Sequence, residues 1–340
     1  MQESNSAHLH ARLSALHRRL RHSILQQTRT TSFADMSEVV AEQGGDVIFA
    51  IDKVSEAQLL DFCEKELFPE IEFVLIAEGL PGNGEKLFSK SSHADSVPYR
   101  LIIDPIDGTR PLMYDKRSAW ILSGLAHNRG EQTGLKDIFL AIQTEIPVLK
   151  QNSADQLWAI RGQHAQALRE NVDSGASQPY HPSPSQAASL DQGFASFVHF
   201  FHGNKRLISE IDERLRELVH GTLAPNKAWT FEDQYMSTGG QIYELSTGRD
   251  RFIADLRALA GGMLDALSGL CCHPYDLCTS LIAEAAGAIV TGSDSQPLNA
   301  PLSVHENVDW IGYANQTIYS QIQPALQEIL HQVASERTGS

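Results

Sequence analysis

Cysteine is scarce in this chain: four in 340 residues, with no CxxC pair, so neither a disulfide framework nor a structural zinc site is expected. Cys271 and Cys272 are adjacent, beside His273 and before Cys278. Neighbouring ligands reach one tetrahedral ion poorly, so these read as small buried thiols. Long hydrophobic runs are also missing. None nears the ~18 residues of a membrane span. Arg12, Arg18 and Arg19 interrupt every apolar run near the start, so no secretory leader is expected and a cytoplasmic protein is. Positive charge is short: 27 Lys and Arg face 42 Asp and Glu, a net charge of −15. Such a surface repels phosphate backbones and anionic lipid, which argues against nucleic-acid or membrane partners. What is present, 42% hydrophobic residues with 24 Gly and 14 Pro, is the composition of a globular protein.

Residues 7–27 carry Leu9, Leu13, Leu16, Leu20 and Ile24 at helical spacing, with Arg12, Arg18, Arg19 and Arg21 on the other face. This predicts a packing helix whose polar side meets water or a partner subunit. A second helix is predicted over 35–43, stopped by Gly44-Gly45. Asp46–Asp52 reads as a strand, followed by a helix buried through Leu59, Leu60, Phe62 and Leu67. Apolar runs at 73–77, 101–103, 119–126 and 138–142 predict buried strands. Residues 173–193, rich in Pro, Ser, Gln and Ala, read as a linker or exposed loop. The reading continues with a strand at Phe194–Phe201, a helix at 205–219 and an irregular stretch to about 250. It ends with a helix through Leu256, Leu259 and Leu264, a helix near 275–286, a strand at 288–290 and a last helix at 316–334. Mixed helices and strands imply a layered α/β (α+β) architecture. A boundary in the linker gives an N-terminal α+β subdomain, 1–190, and a C-terminal α/β subdomain, 191–340.

The chemistry concentrates in Asp104-Pro105-Ile106-Asp107-Gly108-Thr109. Pro105 is expected to end the strand before it, aiming Asp104, Asp107 and the Ile106 carbonyl at one point. Hard divalent cations want such oxygen ligands. Gly108 permits close backbone approach, and the Gly108 and Thr109 amides open a helix that Pro111 suits, where phosphate oxygens bind. Glu78 and Asp52 follow or end neighbouring elements, and Asp276 begins a helix after Pro274. Carboxylates converging from four elements would repel one another unless a cation neutralised them.

These segments resemble the inositol monophosphatase-like family, the lithium-sensitive, Mg²⁺-dependent sugar-phosphate phosphatases that include fructose-1,6-bisphosphatase. Asp104–Thr109 resembles its DPxDGT signature, Asp46–Asp52 its DxVTxxD segment and Ala77-Glu78-Gly79 its GEE segment. Tyr275-Asp276 through Glu284–Gly287 resembles WDxAAG…EAGG, and Gln296–Ala300 the turn after it. The order is preserved over roughly residues 35–330. The resemblance implies a sugar-phosphatase fold, an αβαβα sandwich of two subdomains, acting as a phosphoric monoester hydrolase with two or three Mg²⁺ per site. It implies Glu78, Asp104, the Ile106 carbonyl, Asp107 and Asp276 as metal ligands, and Asp52 with Thr109 as the pair that activates water. The family also implies a homodimer acting on a small phosphorylated metabolite.

The sequence departs from the family at informative places. Gly79 stands where the second glutamate of GEE is expected, and Phe49 where DxVTxxD has threonine. The position of the glutamate that reads inositol hydroxyls falls on Gly269. Arg110-Pro111-Leu112-Met113 follows the signature, and 173–193 and 237–255 read as additions. Arg110, beside the signature turn, is the candidate for contacting substrate. Arg117, Lys205, Arg206, Arg249 and Arg251 are further candidates for a second phosphate or another anionic group, though each by itself reads as solvated. The leading reading is hydrolysis of an inositol, sugar or polyol phosphate by in-line attack of activated water. The alternatives are a 3′-phosphoadenosine 5′-phosphate phosphatase, which needs an aromatic or apolar slot for adenine, and a catalytically silent regulatory relative.

Overall fold

The computed structural model of the chain describes residues 2–31, 39–43, 46–221, 228–264 and 270–338. It opens with α1 (Gln2–Thr30), then β1 (Val39–Gln43) and β2 (Asp46–Phe49) as an antiparallel pair, and α2 (Ala50–Phe62). The strand at 39–43 replaces the helix expected there, residues 35–38 of that helix lying outside the described residues. Asp52 accordingly sits in the first turn of α2 and not on a strand.

The next strands are β3 (Phe73–Ala77), β4 (Glu85–Phe88), β5 (Tyr99–Asp107), β6 (Ala119–His127) and β7 (Ile138–Ile146). A short helix, α3 (Thr109–Met113), joins β5 to β6. With β8 (Ser153–Ile160), β9 (Gln166–Asn171) and β10 (Ser177–Tyr180) they form one sheet in the order β10-β9-β8-β7-β6-β5-β3-β4. Only β3 and β5 run parallel. Because side chains alternate along a strand, the sheet is apolar on both faces. Phe73, Leu75, Leu101 and Ile103 pack with α1 and α2, while Val74, Ile76, Ile102 and Leu122 join the other core.

On that second face lie α5 (Thr238–Ser246) and α8 (Ser280–Ala286). Beyond them β11 (Phe194–Phe197), β12 (Asp250–Asp255), β14 (Trp310–Tyr313) and β13 (Ile289–Thr291) make a second sheet, in that order, with β11 and β12 parallel. The helices α4 (Lys205–His220) and α9 (Gln316–Thr338) pack on each other and on this sheet. Between β12 and β13 the chain adds α6 (Arg257–Met263) and α7 (Pro274–Leu277). The layering is the expected αβαβα sandwich. Among the described residues no helix is long and apolar enough to cross a membrane.

Two stretches read as additions or linkers are structural. Residues 177–180 form β10, where Pro179 is tolerated because the strand lies at the sheet edge. Residues 237–255 supply α5 and the interior strand β12. The strand expected over Phe194–Phe201 ends at Phe197, and the helix expected near 275–286 is split into α7 and α8.

The basic face of α1 leaves Arg18 in solvent as expected, while its other arginines pair within the chain. Arg19 pairs with Asp61 and Glu66, Arg12 with Glu70, Arg21 with Glu170 and Arg29 with Asp173. Among the polar groups that α1 buries is His17, fully enclosed, with ring nitrogens 2.9 Å from Thr144 Oγ1 and 2.8 Å from Ser123 Oγ. Burial, with help from the charges of His10, Arg21 and Arg18, pushes the His17 pKa down to about 3. The unfolded chain, with its histidine near 6.5, therefore takes up the proton first. This contribution to stability is complete above pH ~6.5 and is lost as pH falls toward 3. Between about pH 7 and about pH 5, wild type should lose about 2 kcal/mol relative to His17→Gln in denaturant unfolding. Parallel pH profiles for the two proteins would refute the assignment.

Candidate active site

The expected end of β5 at Pro105 is a kink instead. The strand continues to Asp107, its pairing with β6 jumping from Asp104↔Leu122 to Asp107↔Trp120. Pro105 has no N–H to pair, and such an irregularity is where a strand tolerates it. Asp104 Oδ1 accepts the Ile106 N–H at 2.9 Å, which fixes the turn from within. Gly108 then adopts φ 90°, a left-handed conformation that glycine takes without strain, and α3 begins at Thr109. Thr109 Oγ1 lies 3.0 Å from Asp52 Oδ1 and 2.9 Å from the Ile106 carbonyl. Its single proton serves one of them at a time.

Asp107 is held from the other side of the sequence. Its Oδ2 accepts Ser237 Oγ at 2.8 Å and the Gly239 N–H at 2.6 Å. Ser237 is also the N-cap of α5, accepting the Gly240 N–H at 2.9 Å. Asp276 Oδ2 accepts the His273 N–H at 2.7 Å, so it caps α7 while facing the same space. Carboxylate oxygens of Asp104, Asp107 and Asp276 all lie within 4.8 Å of one another.

Bringing buried carboxylates so close perturbs them strongly. Burial, then the charges of Asp107, Asp276 and Glu78, raises the Asp104 pKa well above its usual range. Burial and Asp276 raise Asp107 to about 7, against the opposing pull of the Gly239, Ser237 and Thr238 donors. This donor set, three carboxylates beside a backbone carbonyl, is oxygen-only, and its mutual repulsion is what a divalent cation relieves.

Every site residue singled out in the sequence lines one cavity of about 200 Å³: Asp52, Glu78, Asp104, Ile106, Asp107, Gly108, Thr109, Arg110 and Asp276. Glu78 stands outside the close triad. The residue after it, Gly79, has φ 84°, which the glutamate of the resembled segment would adopt only under strain. Gly269 lies outside the described residues. The remaining cationic candidates do not line the cavity. Arg117 stacks on Tyr235 and pairs with Asp233 and Glu244, Arg249 pairs with Glu244, and Arg251 binds the Ser189 and Asp191 carbonyls. The four cysteines are buried and free, Cys271 lining the cavity.

Sequence reasoning missed Ser237 and Gly239, which hold Asp107, and Phe200, Phe201 and Arg257, which line the cavity. A serine three residues before the Gly240 amide it caps was the available signal for α5. Nothing in the sequence ties that helix to Asp107.

No protein-family model matches the sequence, and no curated protein matches it. Solved structures do match. The fructose-1,6-bisphosphatase of Leishmania major aligns with a TM-score of 0.67 at 13% identity, over 95% of this chain and 94% of that one. The Thermotoga maritima IMPase aligns at 0.60 and 19%, over 95% and 96%. The inositol monophosphatase from Anabaena (Nostoc) aligns at 0.59 and 16%, over 96% and 97%. The chain therefore has the fold of the fructose-1,6-bisphosphatase and inositol monophosphatase structures, along almost its whole length.

Proposed function

We propose that this protein is a Mg²⁺-dependent phosphoric monoester hydrolase of small phosphorylated metabolites. The observation that carries the reading is the meeting of Asp104, Asp107 and Asp276 in one cavity with the Thr109–Asp52 hydrogen bond. On this reading Glu78, Asp104, the Ile106 carbonyl, Asp107 and Asp276 hold the metal ions, two or three of them. When bound, Mg²⁺ supplies charge neutralisation and lowers the pKa of attacking water.

The protein's own groups do the positioning. Ser237 and Gly239 fix Asp107 through its Oδ2, which would hold the carboxylate in place for the ions. With the Ile106 carbonyl serving as a ligand, the Thr109 hydroxyl would donate to Asp52 Oδ1, 3.0 Å away. Its lone pair then accepts from a water, which gives up its proton toward Asp52 through that hydroxyl. The Gly108 and Thr109 amides and Arg110 contact phosphate oxygens. Because the attack is in line, orientation is most of what such a site contributes. The two-subdomain division at 190/191, inhibition by lithium, a homodimer and a cytoplasmic setting belong to the same proposal.

Release of inorganic phosphate from a panel of sugar, polyol and nucleoside phosphates tests it. Hydrolysis of at least one class should appear with Mg²⁺ and vanish with chelator. A panel untouched in Mg²⁺ would contradict the proposal.

A further inference from the structure

The cavity is not acidic throughout. Its lining includes Phe200 and Phe201, which meet edge to face with centroids 4.9 Å apart at 82°, together with Met236 and Leu270. Both rings are half-buried. They follow the carboxyl end of β11, and Arg257 follows the carboxyl end of its parallel neighbour β12. Loops leaving the carboxyl ends of adjacent parallel strands are where α/β folds bind ligands.

The aromatic pair is braced. The Arg257 guanidinium carbon lies 4.9 Å from the Phe200 centroid and 5.5 Å from that of Phe201. Arg257 is itself fixed: it donates to both carboxylate oxygens of Asp255, at 2.8 and 2.6 Å, and to the Leu270 carbonyl at 2.7 Å. Asn204 Nδ2 donates to the Arg257 carbonyl at 2.8 Å. Rings held this way have little side-chain entropy left to lose on binding.

Four polar groups of the lining are engaged within the protein. Ser55 Oγ donates to the Asp52 carbonyl, Ser237 to Asp107, Arg257 to Asp255, and Glu56 pairs with Lys53. A polyol phosphate would bury hydroxyls against phenylalanine, and unpaired buried polar groups are costly. A planar heteroaromatic ring would stack there instead.

Resting on the phosphatase reading, we infer that the alcohol half of the substrate carries a flat ring packed on Phe200 and Phe201, which makes the substrate a nucleoside phosphate. The test compares adenosine 5′-monophosphate with inositol 1-phosphate in the Mg²⁺-loaded protein, its Phe201→Ala variant and its Phe201→Tyr variant. Wild type should favour the nucleotide in kcat/KM. The nucleotide-to-polyol ratio should fall roughly ten- to a hundredfold in Phe201→Ala and be kept in Phe201→Tyr, the range expected for a base on an aromatic face. A ratio unmoved by Phe201→Ala, or a wild-type preference for inositol 1-phosphate, overturns the inference and leaves the phosphatase reading standing. If wild type hydrolyses neither compound, titration calorimetry with adenosine 5′-monophosphate decides. Binding that weakens ten- to a hundredfold in Phe201→Ala supports the shelf, and absent or unchanged binding overturns it.

Discussion

Asp104→Asn is expected to lower Mg²⁺-dependent phosphate release by on the order of 10³-fold, the scale seen when a preorganised electrostatic group is deleted. Asparagine keeps the shape and an oxygen to accept the Ile106 N–H, so the turn survives. What is lost is one of three carboxylates whose oxygens lie within 4.8 Å. Stability should move the other way. Burial and the neighbouring charges raise the folded-state pKa of Asp104 above its unfolded value. The group therefore opposes folding, increasingly so as pH rises above its unfolded value toward the raised folded one. Without metal, the variant should melt higher than wild type near pH 7.5, and the Mg²⁺-induced rise in Tm should shrink. An inactive variant with a lowered metal-free Tm would point to structural damage instead. Stability gained by deleting a functional charge is the pattern of an active site that strains its own fold.

Removing the hydroxyl should be nearly as damaging. Thr109→Val keeps the branched shape but deletes the oxygen that lies 3.0 Å from Asp52 Oδ1. The loss of a positioned proton acceptor is worth about 10²–10⁴-fold in kcat. Asp52→Asn should cost a similar factor, and the double variant little more, because the two groups act through one hydrogen bond. The Mg²⁺-induced change in Tm should persist in Thr109→Val, which separates this loss from that of Asp104. Multiplying effects in the double variant would show that the residues act independently.

The signature turn was readable because its parts are contiguous: Asp104, Ile106, Asp107, Gly108 and Thr109 lie within one bend of chain. The central strands β3, β5, β6 and β7 were readable for a related reason, since each carries an apolar run, whereas β4, β8, β9 and β10 are polar or mixed and were not foreseen. The helix α5 was not. A Cβ on Gly239 would come 2.5 Å from Leu122 Cδ2 and 2.9 Å from Asp107 Oδ2. Close approach to the carboxylate thus demands glycine at a position where glycine disfavours helix, and function erased the local signal. Buried on nearly every side, α5 also lacks an apolar stripe. The ion pairs made by the basic face of α1 were not legible because their acidic partners, Asp61, Glu66, Glu70, Glu170 and Asp173, come from distant elements. The aromatic shelf was invisible in the same way: Phe200, Phe201 and Arg257 meet only once β11 and β12 pair.

Crystals soaked in Mn²⁺ and measured at its absorption edge interrogate the site most directly, since manganese takes magnesium's oxygen ligands and scatters anomalously. Peaks should appear between Asp104, Asp107 and Asp276, with one reaching Glu78. They should vanish from Asp104→Asn crystals soaked identically. A well-diffracting wild-type crystal with no peak among those carboxylates, or with manganese bound elsewhere, would contradict a metal-built phosphatase.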